Sequence, residues 1–286
     1  MKFANEYDGI VCSSGGGGGY GILGVLHTFY TKKNPKTLRY FIGTSAGAII
    51  CLFLSIGMTP LELFSKLCSN DINQYLDIVF DMDQVSSTFG LIDFNKIRFY
   101  FQSLVIEKLG HIPTFLSLKT DFGKTFVCNA YNLTKNKKVY FSPKTTPDVS
   151  IVDAMLCSCC IPFLFTKCEL DGDLYMDGAS FDRCAVGFSK QLLEDEVFPF
   201  YKLCVLFCCK QTTNQPKNES QTEWKLIDYI KSICFMPISS QPEPVSEDCV
   251  DVFELENDFN DITVKVDTKD RISLFSKNSD QAKQYL

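Results

Sequence analysis

Short, wholly apolar runs alternate along this chain with longer amphipathic ones. Residues 8–14, DGIVCSS, predict a brief buried strand that runs into a turn. Gly15 to Gly19 follow, and then apolar positions recur at helical spacing: Ile22, Leu23, Val25, Leu26, Phe29 and Tyr30. Asn34-Pro35 closes that helix. Residues 38–42 predict a second strand, 43–47 a sharp turn, and 46–56 an almost entirely apolar helix ended by Gly57. The order strand, helix, strand, turn, helix predicts a mostly parallel central sheet with helices packed on it, an α/β fold.

Further on, Thr59-Pro60 opens an acid-and-apolar helix, LELFSKLC, and residues 70–110 read as amphipathic helix broken by a loop near 86–90. Residues 124–142 predict a hairpin turning at 134–137. Residues 149–160 predict a helix stopped by Pro162, residues 169–176 a tight hairpin around Asp171-Gly172, and 201–209 a buried strand. A polar loop at 210–223 leads to an apolar helix at 224–236. From Asp251 the pattern predicts an acidic hairpin and a last helix. There is no internal repeat, and the reading is one domain over 1–286, with the segment 237–286 its least regular part.

Composition narrows the function. The chain has 286 residues, 45% of them hydrophobic, which is enough for a sizeable core. Its net charge of −6 argues against a nucleic-acid partner, which calls for a basic face. The first residues lack the apolar stretch of a signal peptide, and no run has the 18 or more apolar residues of a transmembrane helix. The 14 cysteines are therefore expected as thiols of a reducing compartment, and a cytoplasmic location is the expectation. Two cysteine clusters, at 157–160 and 204–209, lie inside apolar runs. Free cysteine packs as a small hydrophobe, so core packing is the reading there and no metal site is expected.

Two stretches carry chemistry. Gly16-x-Gly18-x-x-Gly21 follows a strand and opens a helix, as a dinucleotide fingerprint does. That fingerprint needs an acid about 20 residues on for the ribose. The first acid after Asp8 is Glu62, and no Gly-Lys-Ser/Thr follows the glycines for a phosphate loop. Nucleotide binding is thereby the weakest reading. Bare backbone amides at a helix N-terminus still favour negative charge, and a transient oxyanion fits. The second stretch is Gly43-Thr44-Ser45-Ala46-Gly47, the G-x-S-x-G spacing of a serine hydrolase nucleophile, which is also a plain helix cap in form. The two histidines of the chain, His27 and His111, suit neither order nor spacing of a histidine triad. A carboxylate within reach of the serine can replace it as base, in a site that suits esters.

The stretches SGGGGGYGILGVL, IGTSAGAIICLFLSIGMTPLEL, TPDVSIVDAMLCSCCIPFLF and DLYMDGAS together resemble the patatin-like phospholipases, over nearly the whole chain. The resemblance implies a patatin-like fold, its sheet sandwiched between helices, and a Ser–Asp dyad without histidine. In that dyad Ser45 is the nucleophile and Asp177, in Met176-Asp177-Gly178-Ala179, its partner, while Asp171 and Asp173 match variable positions. It further implies an oxyanion hole at Gly16, Gly17 and Gly18, residues that belong to the loop in either of two registers. Two departures stand out: Tyr20 replaces a basic residue of the glycine loop, and Ser180-Phe181-Asp182 replaces the usual continuation after Asp-Gly-Ala. The implied activity is cleavage of fatty acyl esters of phospholipids, without cofactor or metal, with transient contact to a membrane surface. The alternative is a catalytically inactive lipid- or partner-binding protein on the same fold. Residues 162–165 are expected in the core, and the apolar helix at 224–236 suits core and lipid contact equally.

Overall fold

The computed structural model describes residues 4, 6–69, 72–76, 82–197, 201–210, 241–257 and 265–285. Its centre is a sheet built on five parallel strands: β1 (Gly9–Cys12), β2 (Tyr40–Gly43), β4 (Thr125–Asn132), β9 (Leu203–Lys210) and β10 (Val250–Asn257). Along the sheet they run β10-β9-β1-β2-β4. Three antiparallel strands extend it, namely β5 (Lys137–Phe141), β7 (Cys168–Leu170) and β8 (Asp173–Asp177).

The inner strands β1, β2 and β9 are largely apolar because both faces are covered. Ile10, Phe41, Phe126 and Leu206 point into a core shared with helices α1 (Gly19–Lys32), α2 (Ala46–Ser55), α5 (Phe94–Leu109), α6 (Phe115–Phe122), α7 (Ile151–Cys159) and α9 (Thr268–Lys283). Their neighbours Val11, Ile42, Val127 and Val205 point the other way, onto α8 (Val186–Val197). Helix α3 (Pro60–Ser69) packs on α1. The close approach of α1 to α9 depends on Gly24, where a Cβ would fall 2.1 Å from the Phe275 carbonyl oxygen.

Strand registers explain how the two ends of the chain's middle meet. Cys128 pairs with Gly43 of β2 and with Phe141 of β5, so β2 and β5 lie on opposite edges of β4. Ala130 pairs with Asp177 of β8 and Val139 of β5, so β8 also lies opposite β5. Strands β2 and β8 therefore share one edge of β4, end to end. Asp177 arrives directly beyond the point where β2 stops and turns.

Several local expectations change. The first part of the acidic segment from Asp251 forms a parallel strand, β10, on β9, and the returning arm of the expected hairpin lies outside the described residues. Val250, Phe253 and Leu255 are buried, while the acidic positions lie along an edge strand, where one row can reach water. The amphipathic stretch at 70–110 contains helix α4 (Met82–Thr88) and then a three-residue strand, β3 (Gly90–Ile92), parallel to β6 (Phe163–Phe165). Phe165 is buried as expected, but Phe163, which takes a positive φ, is half exposed. Helices α6 and α8 carried no clear sequence signal. The polar stretch 211–223 and the apolar helix expected at 224–236 lie outside the described residues.

Candidate active site

The site is assembled where β1 and β2 end. After Gly43 the chain turns within two residues into α2, and Ser45 sits at the apex with φ 54 and ψ −120. A positive φ on a residue with a Cβ is strained and needs surroundings that hold it. The flanking glycines provide them. A Cβ on Gly43 would lie 2.3 Å from the Gly47 carbonyl oxygen, and one on Gly47 would lie 2.2 Å from the Cys12 carbonyl oxygen. Two groups of α7 fix the apex from the side. The Ser45 N–H donates to Ser158 Oγ at 3.0 Å, and the Cys159 thiol donates to the Ser45 carbonyl at 3.2 Å.

Ser45 Oγ donates to Asp177 Oδ2 at 2.6 Å. Both residues are buried. Asp177 closes β8 and caps the short turn Gly178–Ser180 by accepting from the Ala179 N–H at 2.8 Å through Oδ1. Its own N–H donates to the Cys160 carbonyl at 2.8 Å. Gly178 lets this turn press on β4, since a Cβ there would be 2.2 Å from the Asn129 carbonyl oxygen. The chain that follows is tied down by Asp182, whose carbonyl accepts from Asn129 Nδ2 and Thr44 Oγ1 and whose carboxylate accepts from the Tyr140 hydroxyl at 2.6 Å. Burial pushes the Asp182 carboxyl above the usual carboxylate range, against these hydrogen bonds.

Gly16 and Gly17 line the same cavity as Ser45. Gly16 takes φ 49, and residues 16–18 form one turn of 3-10 helix leading into α1. The amides of Gly16 and Gly17 have no acceptor among the described residues, and neither does that of Ala46, the residue after the serine. First-turn amides of a helix have no partner within the helix. Gly18 corrects the expected set: its N–H donates to the Gly15 carbonyl at 2.8 Å, inside the turn, and it does not line the cavity. Gly21, the last glycine of the apparent fingerprint, serves packing, since a Cβ there would meet Asn278 Nδ2 at 2.7 Å.

The cavity has a volume of about 120 Å³, narrower than most pockets for drug-sized ligands. Beyond the serine and the glycines its wall is mostly hydrocarbon, from side chains such as Leu23, Ile50, Ile97 and Phe101. Tyr20 forms part of this wall, and its ring lies under the Arg271 guanidinium at 5.4 Å. A cation thus stands behind the position where a basic residue was missing, but it is fully buried and bonds to the carbonyls of Leu67 and Val266. Cys159 also lines the cavity. Burial, and then the nearby Asp177, push its thiol well up, which keeps it neutral beside the serine.

The remaining candidates fall elsewhere. His27 stacks on Phe275, and His111 is exposed with Nδ1 3.2 Å from the Leu109 carbonyl oxygen. Asp173 accepts from Asn132 and Lys135, and Asp171 forms the hairpin turn at φ 51. Cys157, Cys159, Cys160, Cys204 and Cys208 are buried free thiols, and no metal-holding cluster of histidine, cysteine and acids occurs among the described residues. Sequence reasoning missed Ser158, Cys159 and Ala46. For Ala46 the position after the serine was a usable signal, whereas Ser158 and Cys159 look like any small residues of an apolar helix.

Fold and site together define a class: an α/β protein with a serine at a strained strand-to-helix turn, bonded directly to a buried aspartate. The family model described as patatin-like phospholipase matches residues 10–186, and this chain belongs to that family. A relative, the "Probable lipid hydrolase 463L" of Invertebrate iridescent virus 6, is 33% identical over 177 residues, or 60% of this chain and 59% of the relative. The match thus spans less than two thirds of that viral protein. Among solved structures, VipD from Legionella pneumophila aligns with a TM-score of 0.57 at 16% identity, covering 99% of this chain and 67% of that one, a likeness of fold.

Proposed function

We propose that this chain is a lipid acyl hydrolase that cleaves fatty acyl esters of phospholipids, with Ser45 as nucleophile and Asp177 as its base. The observation that carries the reading is the 2.6 Å bond from Ser45 Oγ to Asp177 Oδ2 at the foot of a hydrocarbon-walled cavity. As Oγ attacks the acyl carbon, Asp177 takes its proton. The carbonyl oxygen becomes an oxyanion, and the amides of Gly16, Gly17 and Ala46 face it. Preorganised donors of this kind are each worth roughly 3 to 4 kcal/mol in a serine protease. Collapse of the tetrahedral intermediate expels the alkoxide, which Asp177 protonates, leaving acyl-Ser45. Water, deprotonated by Asp177, then attacks the acyl carbon, and the second tetrahedral intermediate expels Ser45 Oγ, which takes that proton back from Asp177 as the fatty acid leaves. An aspartate is a weak base for an alcohol, and the scheme suits esters because an alkoxide leaves more readily than an amine.

The acyl chain would lie along the apolar wall. No single helix among the described residues is long and apolar enough to cross a membrane. Access to a bilayer substrate in this reading is by transient surface contact from the cytoplasm, where buried thiols persist. A fluorophosphonate probe tests the reading. Labelling confined to Ser45, lost in Ser45→Ala and strongly reduced in Asp177→Asn, is the expected result. A folded protein that takes no label, yet still binds phospholipid, would instead be the inactive lipid-binding form.

A further inference from the structure

Phe89 and Phe163 break the rules of their own elements in the same way. Both are non-glycine residues at φ 64, and both rings are about half exposed, at 51% and 52%. A bulky residue at positive φ is an outlier that persists only where the fold holds it. Phe89 immediately precedes β3, and Phe163 is the first residue of β6, where it pairs with Gly90. The two strands approach so closely that a Cβ on Gly90 would lie 2.1 Å from the Phe165 backbone. Strand alternation would put 161, 163 and 165 on one side. Ile161 and Phe165 do line the cavity, and Phe163, at its positive φ, does not. On the inner side of this sheet Phe165 stacks on Phe94, centroids 4.7 Å apart, both in the cavity wall. Phe165 of the sheet and Phe94 of α5 thus form a buried pair of rings facing the cavity, while Phe89 and Phe163, at the N-terminal ends of the two strands, are exposed.

Charges of both signs stand beside the Phe89 ring. Lys167 Nζ stands 5.7 Å from the Phe89 ring centroid and 3.6 Å from Glu169 Oε1, and both side chains are well exposed. An ammonium and a carboxylate side by side complement the phosphate and the quaternary amine of a zwitterionic headgroup.

We propose that Phe89 and Phe163 are the points at which this chain presses into a phosphatidylcholine-type bilayer surface, beside the cavity that receives the acyl chain. The proposal rests on the lipid-hydrolase reading for its choice of partner. Strained backbone holding two aromatic rings in water is then retained for docking. The rings enter the interface, where binding scales with the apolar area buried, while Lys167 and Glu169 stay among the headgroups.

The test is the double substitution Phe89→Gly and Phe163→Gly, because glycine accepts a positive φ without strain. Co-sedimentation with phosphatidylcholine vesicles is measured in the Ser45→Ala background, so that binding is read without turnover. Hydrolysis is measured separately, with the serine intact, on p-nitrophenyl butyrate in solution and on the vesicles. The expected result is a vesicle partition coefficient lowered roughly tenfold or more, vesicle hydrolysis lowered in parallel, soluble-ester hydrolysis unchanged, and a Tm that holds or rises. Unchanged partitioning overturns the proposal. So does a Tm that drops by several degrees, which would mean that the rings pack in the fold. Binding that appears only with added phosphatidylserine and survives the substitution overturns it as well. Should the serine intact protein hydrolyse neither substrate, the hydrolase reading fails alone, and partitioning still decides on the surface.

Discussion

The two arms of the site are held by different forces. The serine arm is fixed by steric contact: Gly43 and Gly47 bring backbone against backbone at distances no Cβ could tolerate, and almost every side chain around Ser45 is apolar. The aspartate arm has one such contact, Gly178 against Asn129, but is held mainly by hydrogen bonds and one ion pair. Asp177 bonds to Ala179 and Cys160, Asp182 to Tyr140, Asn129 and Thr44, and Asp173 to Asn132 and Lys135. Sterically clamped backbone gives way all at once, whereas a hydrogen-bonded strap loosens one bond at a time. The nucleophile arm should therefore respond to substitution abruptly and the carboxylate arm in graded steps.

The largest expected effects come from the reacting pair. Ser45→Ala should lower ester hydrolysis by roughly a thousandfold or more with the Tm retained, and Asp177→Asn should do nearly the same, read as kcat/KM on a soluble ester. An Asp177→Asn protein of full activity would remove the aspartate from the mechanism. Next comes Gly47→Ala, which drives a methyl into the Cys12 carbonyl. It should cost more than about 3 kcal/mol in denaturant unfolding, as overpacking against rigid backbone does. A near-neutral result would show that the serine arm can relax and would erase the contrast between the arms.

Tyr140→Phe probes the strap. It removes one donor from the partly buried Asp182 carboxylate and should cost about 1 to 2 kcal/mol, with kcat reduced only several-fold. The smallest effect concerns Asp173. Hydrogen bonds from Lys135 and then Asn132 hold its carboxyl below the usual range. A depressed folded value gives stability that is present above the unfolded pKa, near 4, and is lost as pH falls through the lower folded value. Asp173→Asn should accordingly lower the Tm slightly at neutral pH and converge with the parent in acid, so that the acid limb of the Tm-against-pH curve is flatter below about pH 4. An acid limb identical to that of the parent would show that this pair adds nothing to the strap, as an exposed ion pair often does.

The contrast also explains what could be read in advance. The serine arm is local: strand, glycine, serine, glycine and apolar helix fall within a dozen residues, and each signal names its own geometry. The glycine loop was half legible. Its place before a helix was clear from sequence, but which amides stay open was not. Gly18 turns its N–H back to Gly15, and Gly21 and Gly24 exist for packing on α9 more than 240 residues away in sequence. Asp177 came from resemblance, because nothing in DLYMDGAS by itself says which aspartate turns inward.

By itself the sequence determined the first strands and helices, the parallel sheet and the strained serine turn, all of which depend on periodicity and glycine placement within one segment. Only the tertiary structure decided the partners. That β8 continues along the β4 edge where β2 stops, that Ser158 and Cys159 brace the serine backbone, and that Phe163 leaves the cavity wall are consequences of chain segments meeting. The physical reason is that a local pattern fixes which way a side chain can face, whereas the identity of what it faces is set by the packing of elements far apart in the chain.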